Sequence, residues 1–135
     1  MEFPEGLEKI EARAFSESGI ECVDLPSSVR TICGGAFAGC ANLRSAQLNE
    51  GLETLGTDEL TPEGEHYLGV FEESGLRDVK LPSTLKRIEC RAFAECENLT
   101  AIELPDGLEC LGKECFSESG LKSIRIPPAL KTIEE

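Results

Sequence analysis

The sequence predicts an α/β solenoid, with short parallel strands stacked coil upon coil and joined by turns. Two observations predict it. One phrase recurs six times: FPEGLEKI at 3–10, LPSSVRTI at 25–32, LNEGLETL at 48–55, LPSTLKRI at 81–88, LPDGLECL at 104–111 and IPPALKTI at 126–133. Four of the first five copies are followed, after four intervening residues, by a Phe. A unit this small cannot close a hydrophobic core alone. It must bury its apolar face against copies of itself, which makes the chain a stack.

Aligned on their second residue, the copies fall at Pro4, Pro26, Asn49, Pro82, Pro105 and Pro127, in steps of 22, 23, 33, 23 and 22. Four steps have the length of one coil of about 20–29 residues. The step of 33 holds an insertion over residues 56–70. The 135 residues therefore read as one domain, with repeats starting near residues 3, 25, 48, 81, 104 and 126.

Each coil holds two extended pieces. The first precedes the Pro position: residues 20–25, 43–48, 76–81, 99–104 and 121–126. Its last four residues alternate between apolar and polar, as in a half-buried strand. The second piece follows: residues 7–10, 29–32, 52–55, 85–88, 108–111 and 130–133. Pro or Asn between them suits a bend at a strand end. Phe15, Phe37, Phe71, Phe93 and Phe116 then lie in a short helical or 3₁₀ turn, their rings plugging one interior file between the two ladders.

The coils are of two kinds, in alternation. Coils one, three and five carry an acid–Gly turn and then Glu-Ser-Gly, at 17–19, 73–75 and 118–120. Coils two and four carry Ser-Ser or Ser-Thr and then Cys-x-Asn, at 40–42 and 96–98. The residue before the first strand is thus Gly19, Asn42, Gly75, Asn98 or Gly120, the two types that best tolerate positive φ. A left-handed residue is expected at each. In the second ladder the first middle residue reads Glu8, Arg30, Glu53, Lys86, Glu109, Lys131, alternating in sign at every step. With parallel strands about 4.8 Å apart, this column favours one register, since a slip by one coil sets like against like. The other reading of the column is a charged binding stripe.

Acids outnumber bases by 26 to 13, for a net charge of −13. This argues against nucleic acid as a partner and disfavours anionic lipid surfaces, because both call for clustered Lys and Arg; no membrane insertion is expected. No apolar run reaches the roughly 18 residues of a membrane span. The opening MEFPEGLEKIEARAF has neither the basic region nor the apolar core of a secretory signal. Neither end carries an atypical polar cap, so a longer array, or neighbouring domains or subunits covering the terminal repeats, is expected.

Seven cysteines include no C-x-x-C, and their spacings match no zinc pattern. Cys40 and Cys96, at the same position of coils two and four, are expected as small buried side chains two coils apart, too far for a disulfide. Cys115 is expected buried, and Cys22 and Cys110 at outward strand positions are expected exposed. The odd, unpaired count points to a reducing compartment without fixing one. No metal or cofactor is called for. A single His without a nucleophile motif, and the absence of G-x-S-x-G, P-loop or G-x-G-x-x-G, give an enzyme no support. The insertion holds the chain's one His66 and one Tyr67, contact residues on a loop of the length that often carries function.

LPSSVRTICGGAFAGCANLRSAQL and LPSTLKRIECRAFAECENLTAIEL, read as apolar-Pro-x-x-[LV]-x-x-[IL]…AF…C-x-[NS]-L, resemble the BspA-like leucine-rich repeats over whole units. The resemblance covers nearly the entire chain apart from residues 56–70. It implies a right-handed α/β horseshoe with a parallel sheet on the concave side, and proteins or matrix as what such repeats bind. The outward positions of that sheet include Asp24, Gln47, Asp78, Lys80, Glu103 and Arg125. Together with His66 and Tyr67 they are the candidate partner contacts. The expected function is a non-enzymatic protein-interaction scaffold. The rival readings are a structural spacer within a larger repeat protein and a secreted or cell-surface adhesin segment.

Overall fold

The computed structural model describes residues 3–56 and 69–133. Nine short strands run in chain order: β1 Lys9–Ile10, β2 Cys22–Asp24, β3 Thr31–Ile32, β4 Ser45–Gln47, β5 Thr54–Leu55, β6 Asp78–Lys80, β7 Arg87–Ile88, β8 Cys110–Leu111 and β9 Thr132–Ile133. They form two parallel sheets. The second pieces of all six coils make one, in the order β1-β3-β5-β7-β8-β9, and β2-β4-β6 make the other. Equivalent residues stand side by side: Ile10 beside Ile32 beside Leu55 beside Ile88 beside Leu111. The repeat in sequence is therefore a register in space.

The core is the stack itself. Val29, Ile32, Leu52, Leu55, Leu85, Ile88 and Leu108 are fully buried from the six-stranded side, and Leu43, Leu76 and Leu99 from the other. Between them runs the Phe file. Phe15, Phe37, Phe71, Phe93 and Phe116 stack with ring centroids 5.4, 5.5, 5.6 and 5.7 Å apart and interplanar angles of 11° or less. That spacing is in the favoured range for offset aromatic pairs, each worth about 0.5–1.5 kcal/mol beyond its buried area. Phe3 closes the first end edge-on against Phe15, at 82°.

The Phe segments are turns, and no helix forms among the described residues. Their backbone is committed sideways. The N–H groups of Phe15, Phe37, Phe71 and Phe93 donate to the carbonyls of Ala36, Val70, Ala92 and Cys115 in the next coil, at 2.8–2.9 Å. A helix would need those donors for itself. The residue two before Phe takes positive φ at Arg13, Gly35, Arg91 and Glu114, and the residue two after does so in all five coils, at Glu17, Gly39, Glu73, Glu95 and Glu118. Left-handed residues at both ends stop a helical run from starting.

The expected positive φ at Gly19, Asn42, Gly75, Asn98 and Gly120 is absent, since none lies in the left-handed region. Glycine is needed at 75 and 120 for proximity. A Cβ on Gly75 would run into the Ala41 carbonyl oxygen, and one on Gly120 into that of Glu97. At Gly19, in the first coil, a Cβ would meet open space.

The two kinds of coil fit one another. A hydroxyl of the second kind reaches back to the first: Ser28 Oγ donates to the Leu7 carbonyl at 2.6 Å and Thr84 Oγ1 to that of Leu52 at 2.8 Å, while Gly51 N–H donates to Thr84 Oγ1. Cys40 and Cys96 do likewise with their thiols, donating to the Phe15 and Phe71 carbonyls at 3.1 and 3.0 Å. Where Asn49 replaces Pro, its Nδ2 ties the coil to the Val29 carbonyl at 2.8 Å. Next to the insertion, the buried Glu72 carboxylate accepts from Gly69 N–H and from Arg91, and Arg91 also holds Glu114 at 2.6 Å, so one guanidinium joins three consecutive coils.

Three further expectations are corrected. Residues 99–104 and 121–126 form no strand, and the second sheet ends at Lys80. Cys110 is buried, a short side chain in register beside the longer Arg87 on the preceding strand of the continuous sheet. The alternating charge column is aligned, each residue donating its backbone N–H to the carbonyl of the one before, but among the described residues only Lys131 and Glu109 close to an ion pair, at 3.2 Å. Such exposed pairs are worth about 0–1 kcal/mol, too little to hold every long side chain in place. Arg30 donates instead to the Ser27 carbonyl.

Candidate interaction face

Strands β2, β4 and β6 present their outward positions in two columns: Cys22–Ser45–Asp78 and Asp24–Gln47–Lys80. Alternation along the strand makes these side chains exposed while Val23 and Ala46 between them are buried. Asp24, Gln47, Asp78 and Lys80 are therefore neighbours on one surface, as the strand reading places them.

Beyond β6 the surface changes. No backbone hydrogen bond links β6 to residues 101–103 among the described residues, and the strand is left with an open edge. A groove of about 540 Å³ lies there, lined by Asp78, Lys80, Leu81, Ile102 and Glu103 among others. A second hollow of about 460 Å³ continues from Ile102 and Glu103 to Asp106 and Arg125, which pair across it at 3.0 Å. A third, of about 430 Å³, joins Gln47 and Glu50 to Lys80 and Ser83 on the other side. Five of the eight candidate residues, Gln47, Asp78, Lys80, Glu103 and Arg125, thus line one run of hollows. Asp24 stands on the same sheet beside Gln47. His66 and Tyr67 lie outside the described residues.

The floor of this run was not foreseen. Val79, Leu81 and Ile102 are inward positions of their pieces, yet all three are only half-buried. Asp106 and Glu50 come from the acid–Gly turns. Glu50 is held below the ordinary carboxylate range because the Ser83 hydroxyl and backbone N–H both donate to it.

The remaining ionisable groups serve the stack. The thiols of Cys96 and Cys115 are pushed up by burial, to about 11 and about 12. They stay protonated at neutral pH and are poor nucleophiles. Arg91 is raised by its hydrogen bond to Glu72 and, after that, to Glu114. Glu95 is raised by burial and then by Glu73, Glu118 and Glu72 around it. Among the described residues no group of three His, Cys, Asp or Glu is placed to hold a metal ion. What the run of hollows can do is offer backbone, mixed charges and an apolar floor to a partner.

The family model for the BspA type leucine rich repeat region matches in six copies, over residues 1–61 and 67–135. None of the curated proteins matches the chain in sequence. Among solved structures, a leucine-rich repeat protein from Bacteroides ovatus is similar at TM-score 0.57 and 24% identity, over 98% of this chain and 38% of that one. A second, from Eubacterium ventriosum, is similar at TM-score 0.54 and 25% identity, over 77% of this chain and 27% of that one. The chain thus spans well under half the length of either neighbour. With the repeat phrase, two parallel ladders and one Phe file all repeating coil by coil, this chain belongs to the BspA-type leucine-rich repeat family.

Proposed function

We propose that the chain is a protein-interaction scaffold, binding without turnover through the face of β2, β4 and β6 and the hollows that extend it to Arg125. One observation carries this reading. The strand edge left open at β6 adjoins a groove whose floor is apolar and whose rim alternates acid and base. Half-buried Leu81 and Ile102 supply area to be covered, and Asp78, Lys80 and Glu103 supply orientation. A mixed apolar floor with a polar rim is the general anatomy of a protein interface. The family membership supports the same kind of role.

The test is a comparison of baits. Wild-type chain, a Lys80→Glu/Glu103→Lys variant and a Lys9→Glu control on the six-stranded side are immobilised in parallel, and retained proteins are identified. A partner held by wild type and control but lost from the groove variant is the expected outcome. Retention that never distinguishes the three baits removes this face as the binding site.

A further inference from the structure

The gap beside β6 lies inside the stack, between the fourth and fifth coils. The continuous sheet stays paired across the same two coils, Arg87 with Cys110 and Ile88 with Leu111. The backbone groups that the gap leaves over can be named. Asp78 N–H donates back to the Arg44 carbonyl at 3.2 Å, and the Lys80 carbonyl accepts from Leu48 N–H at 3.1 Å. Those two residues face β4, so Val79 between them faces the groove. In the preceding coils Arg44 N–H donates to the Glu21 carbonyl and Arg77 N–H to that of Arg44, while Leu25 N–H donates to the Gln47 carbonyl. Continuing both series requires Thr100 N–H on the Arg77 carbonyl and Leu81 N–H on the Glu103 carbonyl, and neither bond forms. The carbonyls of Arg77 and Val79 and the N–H groups of Val79 and Leu81 are therefore without backbone partners among the described residues.

The side chains specify what suits this edge. Half-buried Val79, Leu81 and Ile102 form the apolar floor. On the rim, acids exceed bases: Glu50, Asp78, Glu103 and Asp106 against Lys80 and Arg125. Arg125 is already held by Asp106, whereas Asp78 and Glu103 close no ion pair among the described residues. The chain as a whole carries −13, which favours a cationic partner from a distance as well.

Resting on the reading of this face as an interaction site, we infer that its partner is an extended segment of another protein, added along β6 as a further strand. In that segment Lys or Arg alternates with apolar residues. Its backbone takes up the groups of Arg77, Val79 and Leu81. One apolar side chain, in register with Val79, lies on the floor, and the basic residues before and after it point outward, one beside Asp78 and the other beside Glu103. Main-chain bonds hold such a strand, and its alternate side chains select it.

A fluorescently labelled, end-capped Lys-Val-Lys-Val-Lys-Val-Lys peptide, titrated with the full 135-residue chain and followed by anisotropy, tests this. Saturable binding below millimolar concentration is expected. The same peptide with every backbone nitrogen methylated keeps its charge and side chains but binds at least about tenfold more weakly, the scale of two or more lost hydrogen bonds. Val79→Pro deletes one N–H facing the groove, spares the ladder to β4 and weakens binding about fivefold. Asp78→Lys weakens it about tenfold, while Glu53→Lys, the same charge change on the six-stranded side, leaves it within about twofold. Equal affinity for the methylated peptide, equal losses from Asp78→Lys and Glu53→Lys, or no saturable binding overturns the added strand. The bait comparison judges the face separately: a partner lost with Lys80→Glu/Glu103→Lys, alongside a failed peptide, removes the added strand and leaves the face.

Discussion

The same six coils supply two sheets, yet one runs the whole length of the stack and the other stops at Lys80. On the continuous side, every coil is bonded to the next through backbone, and the Phe file behind it keeps an even spacing of 5.4–5.7 Å. On the other side the inward residues run Val23, Ala46, Val79, Ile102, Ile124. The first two are buried at 2–3% exposure, and the last three are half-buried. Pairing is lost where the inward side chain becomes bulkier. The six-stranded side and the Phe turns therefore link every coil to the next, while strand pairing on the three-stranded side stops at Lys80. The candidate face lies on that three-stranded side.

The largest test of this contrast is truncation on each side of one coil. Phe93→Ala should lower stability by about 3–5 kcal/mol, the cost of removing a fully enclosed ring from a close-packed file. Ile102→Ala, on the opened side of the same stack, should cost no more than about 2 kcal/mol, because the site is half-exposed and can relax. Urea unfolding midpoints measure both. Equal losses would mean that the two sides hold the stack alike.

A smaller effect separates proximity from backbone strain. Gly75→Val forces a side chain against the Ala41 carbonyl oxygen and should cost about 1–3 kcal/mol, as overpacking does. Gly19→Val, at the same repeat position but facing open space, should stay within about 0.5 kcal/mol. If both lose stability together, a shared conformational demand, and not the neighbouring coil, explains these glycines.

The smallest effect concerns charge on the Phe turns. Glu73, Glu95 and Glu118 occupy one column, two residues after Phe in successive coils. The folded state favours the neutral form of Glu95, so its ionisation costs stability once pH rises above the ordinary Glu value of 4.5. Glu95→Gln should therefore raise the melting temperature slightly at pH 7 and leave it unchanged at pH 3. A loss at pH 7 would show that the pairing of Glu95 with Arg91 at 3.4 Å outweighs the repulsion.

Much of this was legible in the sequence, and the failures have physical reasons. Periodic Leu, Ile and Phe specify the ladders and the ring file, because burial against a neighbour leaves the same mark in every coil. Positive φ was misplaced because the sequence shows that Gly75 is Gly without showing whether a dihedral angle or a neighbouring carbonyl requires it. The left-handed positions fall instead on Arg13, Glu17, Arg91 and their equivalents, where Gly35 and Gly39 carry the signature and the Arg and Glu residues do not. The columns Asp24–Gln47–Lys80 and Cys22–Ser45–Asp78 followed directly from register. The hollows did not, since the pattern of residues 99–104 is that of a paired strand and the loss of pairing depends on how the coils pack.

The hydroxyl of Ser28 finds Leu7, and that of Thr84 finds Leu52, only because a coil of one kind follows a coil of the other. Inserting or deleting a single coil within the array would bring two like coils together and leave these acceptors and glycine clefts mismatched. Duplication and deletion in such a gene are thus expected to succeed in twos, and engineered arrays built from residues 3–47 as the tile should outlast those built from either half.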